Sequence, residues 1–148
     1  MLKTVLLPAI AACLLVTMPS LAPMALAATD VEVHAQIEQV LGNADQLDEP
    51  MLSITEAIKN GDPAVLAEYT EFPLGNTGED VTDAADLADR FDEIFTEEVK
   101  AALADFQYTD LIVNSEGVGL GNGAIWINLF CDDDTCSKSH WALARVNN

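Results

Sequence analysis

Apolar residues change their spacing part-way along this chain, and that change constrains its fold more than any other feature. From Val33 to Leu103 they recur in steps of three and four, and after Leu111 they fall in short alternating runs. The first spacing lines one face of a helix and the second lines one face of a strand. Val33, Ile37, Val40 and Leu41 make a first helical face, closed by Gly42-Asn43. A second helix is expected from Pro50, with Met51, Ile54, Ala57 and Ile58 inward and Asn60-Gly61 as its stop. Asp62-Pro63 joins an N-cap to a proline at the first helical position, opening a short helix through Val65 and Leu66 to Tyr69.

Phe72-Pro73-Leu74 reads as an edge strand, because proline has no N–H to give a central ladder. Gly75 to Glu79 is a polar turn. Thr82 is expected to cap the longest helix, whose stripe is Leu87, Phe91, Ile94, Phe95, Val99 and Leu103; Thr96 offers a second cap within it. Strands follow at Leu111-Ile112-Val113 and Gly117 to Leu120. Asn122-Gly123 is a tight-hairpin signal leading into Ala124 to Cys131, where Ile125, Ile127 and Leu129 oppose Trp126, Asn128 and Phe130. Ser139 to Asn147 is the last strand. Helices first and an antiparallel sheet afterwards predict an α+β domain.

Met1 to Ala27 reads as a secretory signal peptide: Lys3 at the start, an apolar stretch from Val5 to Met24, and Ala25-Leu26-Ala27 as a small-x-small cleavage site. Pro8, Pro19, Ser20 and Pro23 interrupt the run, which argues against a retained membrane helix. Ile10-Ala11-Ala12-Cys13 resembles a lipobox, making lipidation at Cys13 the minor alternative to periplasmic or secreted release. Cleavage after Ala27 would leave a single domain, residues 28–148.

That domain carries five basic and 25 acidic residues, a net charge of −20. Phosphate backbones and anionic membranes are repelled by such a surface, which excludes nucleic acid as an expected partner. Cationic proteins are favoured. High solubility or a saline setting explains the charge without any partner, and the scatter of the acids along helices and loops favours that reading. Cys131 and Cys136 are an even pair, expected to close a small disulfide loop in an oxidising compartment. Asp132, Asp133 and Asp134 between them would discourage a reactive thiolate. Three consecutive aspartates lack the spaced ligands and central glycine of a calcium loop, and no zinc pattern is present, so no metal or other cofactor is expected.

Several strings carry a family resemblance. Gly61-Asp62 precedes a short helix, and Phe72-Pro73-Leu74 follows it. Phe91-Asp92-Glu93-Ile94-Phe95-Thr96 lies on the long helix, and Glu116 to Gly123 is followed by Ile125-Trp126. The run from Gly61 to Asn147 resembles small exported bacterial proteins of the nuclear transport factor 2-like (SnoaL-like) superfamily. The resemblance implies a cone, with helices packed on a curved antiparallel sheet and a pocket between them. Its members include isomerases, dehydratases and many non-catalytic binding modules, so fold does not settle function.

A proton-transfer enzyme in such a cone would need an acid/base group facing an apolar pocket, and Asp92 is the candidate. Tyr69 could orient a substrate carbonyl, while Trp126 and Trp141 could line the pocket or fill the core. His34 and His140 are the two histidines, and Ser139 and His140 are adjacent on a strand, so they point to opposite faces. Three readings follow. The preferred one is an exported non-enzymatic binding or accessory protein, taking a small apolar ligand or forming a homodimer. The others are an enzyme built on Asp92 and an acidic inhibitor that presents Asp132 to Asp134 to a cationic enzyme.

Overall fold

Thr29 opens the first helix with a reciprocal cap: its hydroxyl accepts from Glu32 N, and the Glu32 carboxylate accepts from Thr29 N at 2.8 Å. The structure is a computed structural model, and residues 28–148 are described; the expected signal peptide and Cys13 lie outside the described residues. Helix α1 (Asp30–Val40) buries Val33 and Ile37, but Val40, expected on the same face, is 45% exposed. The buried face is narrower than the spacing implies. A 3-10 turn at Ala44–Gln46 leads into α2 (Asp48–Asn60), which starts before Pro50 and buries Met51, Ile54, Ala57 and Ile58. Gly61 ends it with φ +66, a left-handed conformation that suits glycine.

Asp62 caps α3 (Pro63–Glu68) by accepting from Val65 N at 3.1 Å. The expected long helix is three segments, α4 (Ala84–Asp89), α5 (Phe91–Ile94) and α6 (Glu97–Ala104). Local polar groups compete with a straight run. Asp83, not Thr82, caps α4 by accepting from Ala85 N and Asp86 N, while Asp86 accepts from Thr82 N. Arg90 reaches back to the Glu79 and Asp80 carbonyls, and the Thr96 hydroxyl accepts from Val99 N to begin α6. The apolar stripe survives these breaks: Leu87, Phe91, Ile94, Phe95, Val99 and Leu103 are all buried.

The sheet is five-stranded, curved and unclosed, in the order β1 (Thr70–Asn76), β5 (Ser139–Val146), β4 (Ile125–Cys131), β3 (Gly117–Leu120), β2 (Ile112–Asn114). With the six helices of the described residues, it makes an α+β fold. Four strands pair antiparallel, but β1 runs parallel to β5, so the sheet is mixed rather than wholly antiparallel. The short α3 before β1 and the late return of β5 bring the two strands together from distant parts of the chain. Pro73 lies on an edge strand, and Leu74 exchanges backbone hydrogen bonds with Val81 beyond it.

Inward residues of the sheet (Val118, Leu120, Ile125, Ile127, Leu143) meet the helical stripe in one core. Each fully buried large aliphatic contributes about 1.5–3 kcal/mol relative to exposure. The hairpin turn between β3 and β4 is centred one residue earlier than expected, with Gly121 at φ +58 and Asn122 at φ +56. Gly123 N donates to Leu120 O. On β5 the register passes from Leu143 to Arg145 against Ile127 and Trp126, leaving Ala144 as a bulge.

Candidate functional site

The end of α3, the start of β5 and the N-terminal turn of α2 converge on one open cleft. It is lined by Gln46, Glu49, Glu68, Tyr69, Ser139 and His140, and its volume is about 570 Å³. Tyr69 is carried there by two constraints. Its carbonyl accepts from Leu143 N at 2.7 Å, tying the helix end to the sheet, and its hydroxyl donates to Glu49 Oε1 at 2.6 Å. Trp141 forms the inner wall: the ring is buried and Nε1 donates to the Asn43 carbonyl at 2.9 Å. Asn43 also donates from Nδ2 to the Ser139 hydroxyl at 2.6 Å.

His140 joins the cleft to the disulfide loop. Nδ1 meets Asp132 Oδ1, and Nε2 lies 3.4 Å from Glu71 Oε2 on β1. The Phe130 ring stacks on the imidazole with centroids 5.9 Å apart. Opposite ring nitrogens therefore hold two carboxylates apart, so these three groups cannot converge on one cation. Among the described residues no group of three histidine, cysteine or acidic side chains is placed to hold a metal.

Cys131 and Cys136 are disulfide-bonded, with Cα atoms 4.7 Å apart. Within the loop the three aspartates have different work. Asp133 accepts from the backbone N–H groups of Thr135, Ser137 and Lys138 and from the Thr135 and Ser137 hydroxyls. The Ser137 hydroxyl, then its N–H and the Thr135 groups, hold the Asp133 carboxyl well below its ordinary value. Asp132 is engaged by His140. Asp134 is exposed and takes no part in those bonds. The loop is thus ordered from inside by Asp133; Asp132 and Asp134 are both exposed, and Asp132 is held by His140.

The other residues singled out in the sequence lie elsewhere. Asp92 is on the outer surface of α5, its side chain 93% exposed and 3.4 Å from Lys100 Nζ. No apolar wall surrounds it. Trp126 and Trp141 do not share a face: Trp126 pairs with Arg145, Trp141 with Leu129. The Trp126 ring lies over Gly119, where a Cβ would come within 3.1 Å of it. His34 pairs with Asp45 at 3.0 Å, remote in sequence from the cleft residues of α3 and β5. The structure therefore brings together Tyr69, Trp141 and, through His140, Asp132.

Glu49 and Glu68, which line the cleft, and Glu71, which reaches it only through His140, are the residues that sequence reasoning missed. Glu49 is separated from Tyr69 by 20 positions, and the chain has eleven glutamates with no pattern that marks this one. The available signal was Tyr69 itself, a tyrosine at a helix end whose hydroxyl needs a partner when half buried. Compared with protein-family models, curated proteins and solved structures, the chain matches none.

Proposed function

We propose that this chain is an exported binding or accessory protein, built on a cone of the nuclear transport factor 2-like kind, whose recognition site is the cleft beside Tyr69 and which takes a cationic group from a basic protein. The observation that carries this reading is the composition of the cleft. Glu49 and Glu68 line it, Glu71 and Asp132 flank it through His140, and the Tyr69 and Trp141 rings supply apolar walls. An ammonium or guanidinium entering there would find carboxylate acceptors and a tyrosine ring suited to cation–π contact. The cleft volume falls in the ordinary range for ligand sites, about 300–1,000 Å³. The net charge of the domain would steer a basic partner toward it. The disulfide is in keeping with export.

The same observations join the inhibitor reading to the binding reading, since Asp132 of the ordered loop contacts His140, which lines the cleft. They give no support to proton transfer by Asp92, which stands in water beside a lysine.

Hexalysine is a suitable probe. Its binding should weaken steeply as salt rises, because exposed charges beyond about 8 Å are screened at 0.15 M. The double variant Glu49→Gln, Glu68→Gln should bind it at least several-fold more weakly with an unchanged circular dichroism spectrum, whereas Asp92→Asn should bind normally. Equal loss in both variants would reduce the effect to net charge and reject the cleft.

A further inference from the structure

Basic side chains are scarce in this protein. The described residues hold five, Lys59, Arg90, Lys100, Lys138 and Arg145. Two of them, Lys59 and Lys100, line a single groove between α2 and α6, on the helical surface rather than at the cleft beside Tyr69. The groove floor is Ile58 and Leu103, both buried, and its walls are Phe106, partly buried, and Leu52, which is 57% exposed. Val31 is more open still and also borders a recess, but that one is lined by Asp30, His34, Asp48 and Tyr108, whereas the recess of about 470 Å³ beside Leu52 carries two lysines.

The two lysines are not equivalent. Lys100 Nζ lies 3.3 Å from Glu97 and 3.4 Å from Asp92, and the Glu97 bond leads in holding its ammonium more basic than usual. Its charge is already matched twice. Lys59 makes no ion pair among the described residues, although the domain carries 25 carboxylates. It lies in the last turn of α2, where the helix dipole favours a cation. The dipole accounts for a lysine there, but not for the open leucine and the recess next to it.

We infer that the groove between α2 and α6 is a binding site for a single-chain amphiphile with one anionic head, of the fatty-carboxylate class, with Lys59 as the counter-ion. The apolar floor and the Leu52 and Phe106 walls would cover the chain. One unmatched cation suits one negative charge. Glu56 and Glu97 at the same rim repel any anion, and a doubly charged phosphate about twice as strongly as a single carboxylate. The long-range field of the acidic domain opposes any anion, but at about 0.15 M salt it fades within roughly 8 Å, leaving the nearest groups to decide. This inference is independent of the cation cleft, and the two probes differ, so either can fail alone.

The test is a titration of the isotope-labelled protein, followed by amide chemical shifts, with dodecanoate and separately with dodecyltrimethylammonium, both kept below their micellar concentrations. Saturable dodecanoate shifts are expected at Leu52, Thr55, Lys59 and Phe106. Lys59→Gln should weaken dodecanoate about fivefold, the upper end for one exposed ion pair, while binding the cationic amphiphile no more weakly than the parent does. Leu52→Asp should abolish binding of both; as Leu52 is exposed, the fold should tolerate it. The inference is overturned by the absence of saturable shifts, by shifts centred on Tyr69 and His140, by equal affinity for the two amphiphiles, or by a Lys59→Gln variant that binds dodecanoate like the parent.

Discussion

Gly117 offers the sharpest test of how β3 is held against β4. Its φ is +126, and a Cβ there would lie 2.0 Å from Asn128 Oδ1 and 2.5 Å from the Ile127 carbonyl oxygen. The Asn128 amide can rotate away, but the Ile127 carbonyl belongs to the strand backbone and cannot move without disturbing the ladder. Gly117→Ala therefore combines two costs. Forcing an alanine into that backbone conformation takes about 1–3 kcal/mol, and overpacking a close-packed contact adds roughly another 1–3. The sum is about 2–6 kcal/mol, or on the order of 8–24 °C in melting temperature for a domain of this size. Gly78→Ala is the control, because Gly78 has φ +129 with no atom within 4 Å of its Cβ, so only the backbone cost applies. Both variants should be melted by circular dichroism at one pH and scan rate. If Gly117→Ala melts within about 3 °C of Gly78→Ala, the steric part of the argument is wrong.

Three further outcomes are expected. Asp133 has its acidity lowered in the folded loop, so its contribution is present above the unfolded carboxylate value near pH 4 and is lost as pH falls toward the folded value. Asp133→Asn should lower stability at pH 7 and flatten the loss between about pH 5 and pH 2, read by urea melts across that range; an acid limb like the parent's would refute it. Replacing both Cys131 and Cys136 with serine should cost about 2 kcal/mol, the loop-closure value for so small a ring, and reducing agent should then have no further effect on the melt. Trp141→Phe removes the donor to the Asn43 carbonyl and should cost about 1–3 kcal/mol while shifting tryptophan emission to the red, since the remaining Trp126 is the more exposed ring.

Much of the local structure was legible in the residues themselves. Asp62-Pro63 and Asn60-Gly61 mark helix ends through the cap and φ chemistry that their side chains allow, and Thr96 caps a segment through its own hydroxyl. Pro73 belongs at an edge because it has no N–H. The break of the expected long helix at Arg90 was harder to see, because the apolar stripe is continuous through it. Only the guanidinium's reach to the carbonyls of Glu79 and Asp80 reveals the competing interaction. The hairpin moved by one residue for a similar reason: Gly121 and Asn122 supply the positive φ pair as well as Asn122 and Gly123 could, and strand pairing chooses between them.

The candidate site was less legible, since its parts are far apart in the chain. Tyr69 and Trp141 stood out as aromatic residues, but nothing in their neighbourhoods announces Glu49 or Glu71. The parallel pairing of β1 with β5 is what sets Tyr69 and Glu71 beside Ser139, His140 and Trp141. By itself the sequence determined the helix-then-strand order, most caps and turns, the acidic charge and the cysteine pair, because propensity, capping and charge act over a few neighbouring residues. Only the tertiary structure decided that β1 runs parallel to β5, that Trp126 and Trp141 face opposite sides, and that Asp133 is consumed inside its loop while Lys59 is left unmatched. Those outcomes depend on which distant side chains are brought within hydrogen-bonding or van der Waals reach, and packing sets that once the core has closed.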